Sequence, residues 1–321
     1  MNKIAMNLIS QFVRNTRSAV LLAIAALAVA AGPATAQTAP GAAGDLGPTL
    51  KRIDAAGVIY VGHRDAATPF SYVTPGLENY YVYGYSWDIC QHIVKAVGER
   101  LGKPVRSVPV AVSSNARILM VKIGMADLEC GATTNNVARQ KQVAFSNTFY
   151  VAEVKIMVRK NSGIKTVADL ANKRAVTTSG STADRLIKGA ALSSNVTMNY
   201  LIGRSHDESM GMLLRGEADA YAADDAILAA QRAASPTPAE FVFLDGNLAV
   251  EPYGIMLPKD DPLFKKLVDD TLVGLMQSGE LARIYDRWFL EPIPPTGGIL
   301  NMPMSDRLKA AIANPNDRPA N

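Results

Sequence analysis

Histidine and cysteine are scarce in this 321-residue chain: His63, His92 and His206 are the only imidazoles, and Cys90 and Cys130 the only thiols. The sequence also lacks HExxH, CxxC, GxSxG, a P-loop and GxGxxG, the signatures of metal hydrolases, α/β-hydrolases and dinucleotide enzymes. No metal, cofactor or catalytic residue is therefore expected. After the N-terminal region no run of 18 apolar residues occurs, so no membrane span is expected. A concentrated basic face is missing too. The formal charge is +4, but Lys3, Arg14 and Arg17 supply three of those charges within the first 36 residues, which contain no acid. Subtracting them leaves about +1 for the other 285 residues, with both signs spread throughout, which argues against nucleic-acid binding.

The basic start is followed by a 13-residue apolar run, Ala19 to Ala31, and by Ala34-Thr35-Ala36 before Gln37. This order is the pattern of a secretory signal peptide, here residues 1–36 with cleavage after Ala36. No Cys follows the apolar run, so no lipid anchor is expected. An even cysteine count in an exported protein admits one disulfide. The alternative is two buried thiols acting as small apolar side chains.

Residues 37–48 are rich in Ala, Gly, Pro and Thr without periodicity and read as a disordered mature N-terminus. Val58-Ile59-Tyr60-Val61 reads as a strand that places Arg64 at its carboxyl end. From Trp87 to Leu101 apolar residues recur at helical spacing, with Cys90 on the buried stripe. That stripe is expected to pack on the short strand at Leu128-Glu129-Cys130, bringing the two cysteines together. Strands are also expected at Val105 to Val112 and Val151 to Val158, and a helix over Arg117 to Ile123. A second alternating set follows: strands at Arg174 to Thr178, Thr197 to Ile202, near Ala220 and at Phe241 to Leu244, with helices after Ser181 and Ser205 and from Asp225 to Arg232. Tyr253 to Leu257 reads as a return crossing, and two amphipathic helices close the pattern at Pro262 to Met276 and Gly279 to Phe289. Strands alternating with helices twice over, with two crossings, imply two α/β lobes and a hinge. In open α/β sheets, ligands sit at the carboxyl ends of the strands, which here face a shared cleft.

The stretches GHRDAATPFSY, GYSWDIC, ADLECGATTNNVARQKQVAFS, TTSGST, ADDAILAA, EPYGIMLPKDDPLFKKLVDD and SGELARIYDRWF occur in that order. Together they resemble the periplasmic glutamate/aspartate-binding proteins of ABC amino-acid importers, from about Leu50 to the end. The resemblance implies the type II periplasmic binding protein fold, with residues 49–150 and 252–321 as lobe 1 and 151–251 as lobe 2. It also implies a monomeric periplasmic receptor that closes on L-glutamate or L-aspartate and delivers it to an inner-membrane ABC permease.

An acidic amino acid carries two carboxylates and one ammonium, so its site needs several cations and one anion. Arginine suits carboxylates because its planar fork bonds both oxygens. Arg64, Arg117 and Arg139 stand at expected strand ends and first helical turns, with Asp224 as the single acid. By the resemblance, Thr134 and Arg139 hold the α-carboxylate, Thr134 also being able to cap the following helix. Ala132 stands where relatives often have Ser and would offer its backbone carbonyl to the ammonium. The turn from Thr178 to Thr182 opens a helix whose free N–H groups suit an anion, and the resemblance adds Thr178 and Ser181 to the α-carboxylate set. The resemblance gives Asp224 the ammonium and leaves Asp225 as the helix cap. Arg64, Ser114, Arg117 and His206 resemble the set that surrounds the side-chain carboxylate. Ser205 and Glu208 form a capping-box pattern that puts His206 at the first helical position. His63 and His92 read as structural or exposed. The plain alternatives are a capped turn at Thr178 to Thr182, a solvated His206 and a surface Arg139.

An exported lyase of the dehydratase type on the same fold is the rival from another class. It would need a general acid or base near working pH in the cleft. The surplus of arginines is expected to keep Asp224 ionised, and no unpartnered Glu stands out.

Overall fold

The computed structural model describes residues 45–74, 81–295 and 297–321, so the expected signal peptide lies outside the described residues. The first sheet has the strand order Arg106–Ala111, Val58–His63, Leu128–Glu129, Met256–Leu257, Ala144–Phe145. The second has the order Asn199–Gly203, Arg174–Thr178, Ala220–Asp224, Tyr150–Arg159, Phe241–Phe243. In each, the first strand of the set lies between the second and third and parallel to both, and a strand running the other way follows. The two sheets thus repeat one topology, as two α/β lobes.

Two strands connect them. Tyr150–Arg159 begins among first-lobe side chains and ends inside the second sheet, and Ala249–Tyr253 runs antiparallel to it with Tyr253 opposite Tyr150 and Ala249 opposite Val154. The return crossing is therefore Ala249–Tyr253, upstream of the expected Tyr253 to Leu257. Pro252 conceals it from a propensity reading, because proline cannot donate to a ladder and is confined to strand positions without that demand. Alternation along Tyr150–Arg159 serves three cores. Tyr150 and Ala152 enter the first-lobe core, Val154, Ile156 and Val158 one face of the second sheet, and Met157 the other.

The first core is built on helices Tyr85–Leu101, Pro262–Gln277 and Glu280–Phe289. At its centre Phe70, Tyr85, Phe149, Tyr150, Tyr253, Tyr285 and Phe289 contact one another, with the Tyr285 and Phe289 rings stacked at 4.2 Å. Ala226 and Ile227, from the helix Asp225–Ala234 of the second lobe, join this core next to the crossings. Residues 47 and 48, expected to be disordered, begin the helix Gly47–Ala56, which places Pro48 in the first turn, where its missing N–H is not needed. The anchor is remote in sequence: the buried Asp261 carboxylate accepts the Thr49 N–H at 2.8 Å. A small antiparallel sheet (Ala66–Ala67, Ser71–Val73, Val82–Tyr83) and a terminal helix, Asp306–Ala313, complete the described elements and have no counterpart in the sequence reading.

Cys90 and Cys130 are bonded, with Cα atoms 6.3 Å apart, and both are fully buried. Cys90 shares its helix stripe with Ile89, Ile93 and Val97, and Cys130 follows the strand Leu128–Glu129. The bridge joins positions 40 apart, and chain-entropy arguments give about 4 kcal/mol for closing a loop of that length. Denaturant titration of Cys90→Ser/Cys130→Ser is expected to show a loss of about 2–5 kcal/mol; an unchanged midpoint would contradict this role.

Candidate functional site

Arg64 follows the strand Val58–His63 into the cleft, and Arg117 opens the helix Arg117–Lys122. Both are buried, at 4% and 3% exposure. Arg64 Nη2 donates to Ser114 Oγ at 2.5 Å and Arg117 Nη1 to the Ala132 carbonyl at 2.9 Å. Burial, and next the Arg117 charge, lower the Arg64 pKa to about 10, while Glu129 acts in the opposite direction. Glu129, fully buried, accepts from Thr133 Oγ1 at 2.8 Å. Residue 131 is glycine because a Cβ there would stand 2.3 Å from Glu129 Oε1 and 2.7 Å from Arg64 Cγ. The Ala132 carbonyl, expected to face an ammonium, is thus already engaged by Arg117.

The next loop carries Thr134 and Arg139. Asn136, not Thr134, caps the helix Val137–Gln140, accepting the Arg139 N–H at 2.9 Å. An extended Asn136 with its amide one turn ahead of that N–H fits the cap geometry. Thr134 Oγ1 instead donates to Glu251 Oε2 at 2.8 Å. Arg139 Nη1 donates to the Thr134 carbonyl at 2.8 Å and Nη2 across the cleft to the Gly180 carbonyl at 3.2 Å. Burial and then Arg117 lower the Arg139 pKa to about 10, against Glu251 and Asp224. The C-terminal segment braces this loop, since Asn135 Nδ2 and Gln140 Nε2 both donate to the Asp317 carbonyl, at 2.8 and 3.1 Å.

From the second lobe, Thr178 ends the strand Arg174–Thr178 and His206 opens the helix His206–Leu214. Thr178 Oγ1, His206 Nδ1, Ser209 Oγ and Tyr221 OH form one buried network, with His206 2.8 Å from Tyr221 and Thr178 2.9 Å from Ser209. Ser205 caps the helix by accepting the Glu208 N–H at 3.1 Å, whereas the Glu208 carboxylate takes the Arg204 N–H, so half of the expected capping box forms. Burial, then Arg64 and Arg117, hold the His206 pKa well below the usual imidazole range, which keeps it neutral. Gly180 lies in the left-handed region (φ +75°), and a Cβ there would stand 2.8 Å from Asn115 N and from the Ser114 carbonyl oxygen. The two lobes therefore touch at this turn, and only glycine permits the approach.

Asp224 occupies the cap position of the helix Asp225–Ala234 without capping it, and Asp225, expected to be the cap, lies inside the helix with its carboxylate accepting the Ala226 N–H. Burial, then Glu251, raise the Asp224 pKa to about 7. The expected cation surplus does not keep this group in the ordinary carboxylate range, because burial and the neighbouring Glu251 and Asp225 carboxylates outweigh Arg117, and a further buried acid, Glu129, lies in the cleft as well. Sequence reasoning missed Glu129 and Glu251, since Glu129 sits inside a short strand and Glu251 on the crossing that Pro252 obscured. It missed Tyr221, Ser209 and Thr182 as well, which present no motif.

The ten expected ligand-binding residues, Arg64, Ser114, Arg117, Ala132, Thr134, Arg139, Thr178, Ser181, His206 and Asp224, are buried or half-buried, and distances and mutual charge effects link nine of them into one cleft. Ser181 lies next to Gly180 in the same turn. His63 is buried, with its ring edge-on to Trp87. Arg64 Nη1, Arg117 Nε, Glu129 Oε1, Ser181 Oγ, Asp224 Oδ1 and Tyr253 OH are buried without a hydrogen-bond partner. Each such atom costs about 1–3 kcal/mol unless something satisfies it. The set contains two cationic groups, two hydroxyls and two carboxylate oxygens, so it offers partners both to carboxylates and to an ammonium.

Residues 59–291 match the family described as bacterial extracellular solute-binding proteins, family 3. The chain is 41% identical over 300 residues to a glutamate/aspartate import solute-binding protein of Escherichia coli, covering 93% of this chain and 97% of that one. It is 42% identical over 284 residues to an L-glutamate/L-aspartate-binding protein of Pseudomonas aeruginosa, covering 88% and 93%. Among solved structures, a mutant of the T. maritima protein ArgBP superposes with a TM-score of 0.67 at 26% identity, over 76% of this chain and all of that one.

A carboxyl whose pKa is higher folded than unfolded stabilises the protein fully below its unfolded pKa, and that contribution is lost as pH rises through the folded value. For Asp224 the window runs from about 4 to about 7. His206, lowered on folding, acts in the opposite sense, so the comparison must be differential. Without ligand, Asp224→Asn is expected to gain melting temperature relative to the parent as pH rises from 5 to 8; a pH-independent difference would contradict the assigned ionisation.

Proposed function

Because the chain belongs to the family 3 bacterial extracellular solute-binding proteins, we propose that it captures L-glutamate or L-aspartate between its lobes in the periplasm and delivers it, as a monomer, to an inner-membrane ABC permease. The observation that carries the choice of ligand is the buried pair Arg64 and Arg117, each with an unpartnered N–H. Two guanidinium groups at this point call for an anion on the ligand side chain, and Ser114 and neutral His206 add uncharged hydrogen-bonding groups around it. Arg139 with the Thr178 to Thr182 turn receives the α-carboxylate, and Asp224 the ammonium. Residues 47–150 and 252–321 move as one lobe against 151–251, about the paired crossings.

A ligand that touches both lobes favours the closed form by its differential affinity. Pairing with an ammonium also draws Asp224 toward its ionised form, so that the burial-raised pKa turns into attraction.

One observation favours a second reading, an enzyme of the lyase type: Asp224 is a buried carboxyl with a pKa of about 7, the range of a general acid or base. Glutamate incubated with the protein should be recovered unchanged by mass spectrometry while it raises the melting temperature. Product formation would transfer Asp224 to a catalytic role.

Truncating one partner of a buried charge pair costs on the order of 2–5 kcal/mol. Arg117→Ala is therefore expected to weaken glutamate at least about 30-fold and glutamine much less, whereas Arg139→Ala should weaken both alike. Calorimetry with both ligands on both variants measures this. Equal losses for the two ligands in Arg117→Ala would put the side-chain pocket elsewhere.

A further inference from the structure

Glu251 stands on the return crossing Ala249–Tyr253, opposite Ala152 in register, and is 2% exposed. A single oxygen of its carboxylate, Oε2, accepts from a hydroxyl of each lobe: Thr134 Oγ1 of the first at 2.8 Å and Thr182 Oγ1 of the second at 2.6 Å. Neither threonine uses that hydroxyl locally. Asn136 caps the helix after Thr134, and Thr182, in the cap position of Ala183–Ser193, makes no cap bond. Both belong to the segments to which the α-carboxylate is assigned.

We propose that Glu251 is a latch that sets the open–closed equilibrium: from the hinge strand it ties the Thr134 loop to the Thr182 turn when the lobes close, and so positions both halves of the α-carboxylate site before any ligand bond is made. The inference rests on the proposed ligand-driven closure. Charge-assisted hydrogen bonds are the strong ones, and two meeting on one buried oxygen hold only if both lobes are in place. Moving the second lobe away removes Thr182 from Glu251, Gly180 from Arg139 and the Gly180 turn from Ser114, so the three contacts break together. From a crossing strand a side chain can reach both lobes, as Glu251 does. Glu251 also acts on Arg139 and Asp224, raising the pKa of each.

Apparent affinity scales with the fraction of protein able to adopt the binding-competent state. A latch therefore changes the affinity of every ligand by one factor, whereas a direct contact discriminates between ligands. Thr182→Val keeps the side-chain shape and removes the hydroxyl, and Thr182→Ser keeps the hydroxyl. In calorimetry, Thr182→Val is expected to weaken L-glutamate and L-aspartate by the same factor, about tenfold, with Thr182→Ser close to the parent. Combining Thr182→Val with Glu251→Gln should cost no more than the larger single change. Small-angle scattering without ligand supplies a readout independent of ligand identity, in which Thr182→Val should have a larger radius of gyration than the parent. Additive losses, a loss confined to one ligand, or parent-like affinity and radius in Thr182→Val would overturn the latch. A parent that binds neither amino acid would instead defeat the ligand assignment and leave the scattering comparison to decide the latch.

Discussion

Arg64 and Arg117 lie side by side out of water, where like charges repel strongly and desolvation adds to the cost. Much of the surrounding structure compensates for them. Glu129 is buried beneath Arg64, Gly131 is glycine because that carboxylate and the Arg64 stem occupy the space of a Cβ, and Ser114 and the Ala132 carbonyl take one N–H from each guanidinium. Their field reaches the second lobe and adds to the burial that holds His206 neutral. In the proposed function a dicarboxylic amino acid is what these groups leave room for.

The second lobe meets this arrangement through a turn that tolerates no side chain at Gly180 and through an arginine fork that crosses the gap. The proposed closure would rest on a few polar contacts around an aromatic hinge region. Ring packing among Phe70, Tyr85, Tyr150 and Tyr253 fixes where the crossings leave the first lobe. The C-terminal segment, beyond the span matched by the family, returns to the Thr134 to Arg139 loop through Asp317 and to the crossing through the Arg307–Glu153 ion pair.

The fold was legible where side chains repeat with a period. The Cys90 stripe, the strand Arg174–Thr178 and the doubled strand–helix alternation each follow from local spacing, and so did the pairing of Cys90 with Cys130. Cationic members of the cleft were legible because arginines at strand ends point to anions. The acids were not. Glu129 and Glu251 acquire their meaning from partners, Thr133, Thr134 and Thr182, that only the folded chain supplies. The caps failed for a related reason: Asn136 and Thr134 are both capable of capping, and the choice between them was made by Glu251 across the fold. Helix Gly47–Ala56 depends likewise on Asp261, which no local pattern connects to it.

The central claim, that buried arginines demand an anion on the ligand side chain, is tested most directly by calorimetry of the unmodified protein with L-glutamate and L-glutamine at low and high salt. The two ligands differ by one charged oxygen and little in shape. Glutamate is expected to bind at least about 100-fold more tightly, with a ratio little changed between about 0.05 and about 0.5 M salt because the pair is shielded from screening ions. Comparable affinities for the two ligands, or a preference that disappears with salt, would contradict the account.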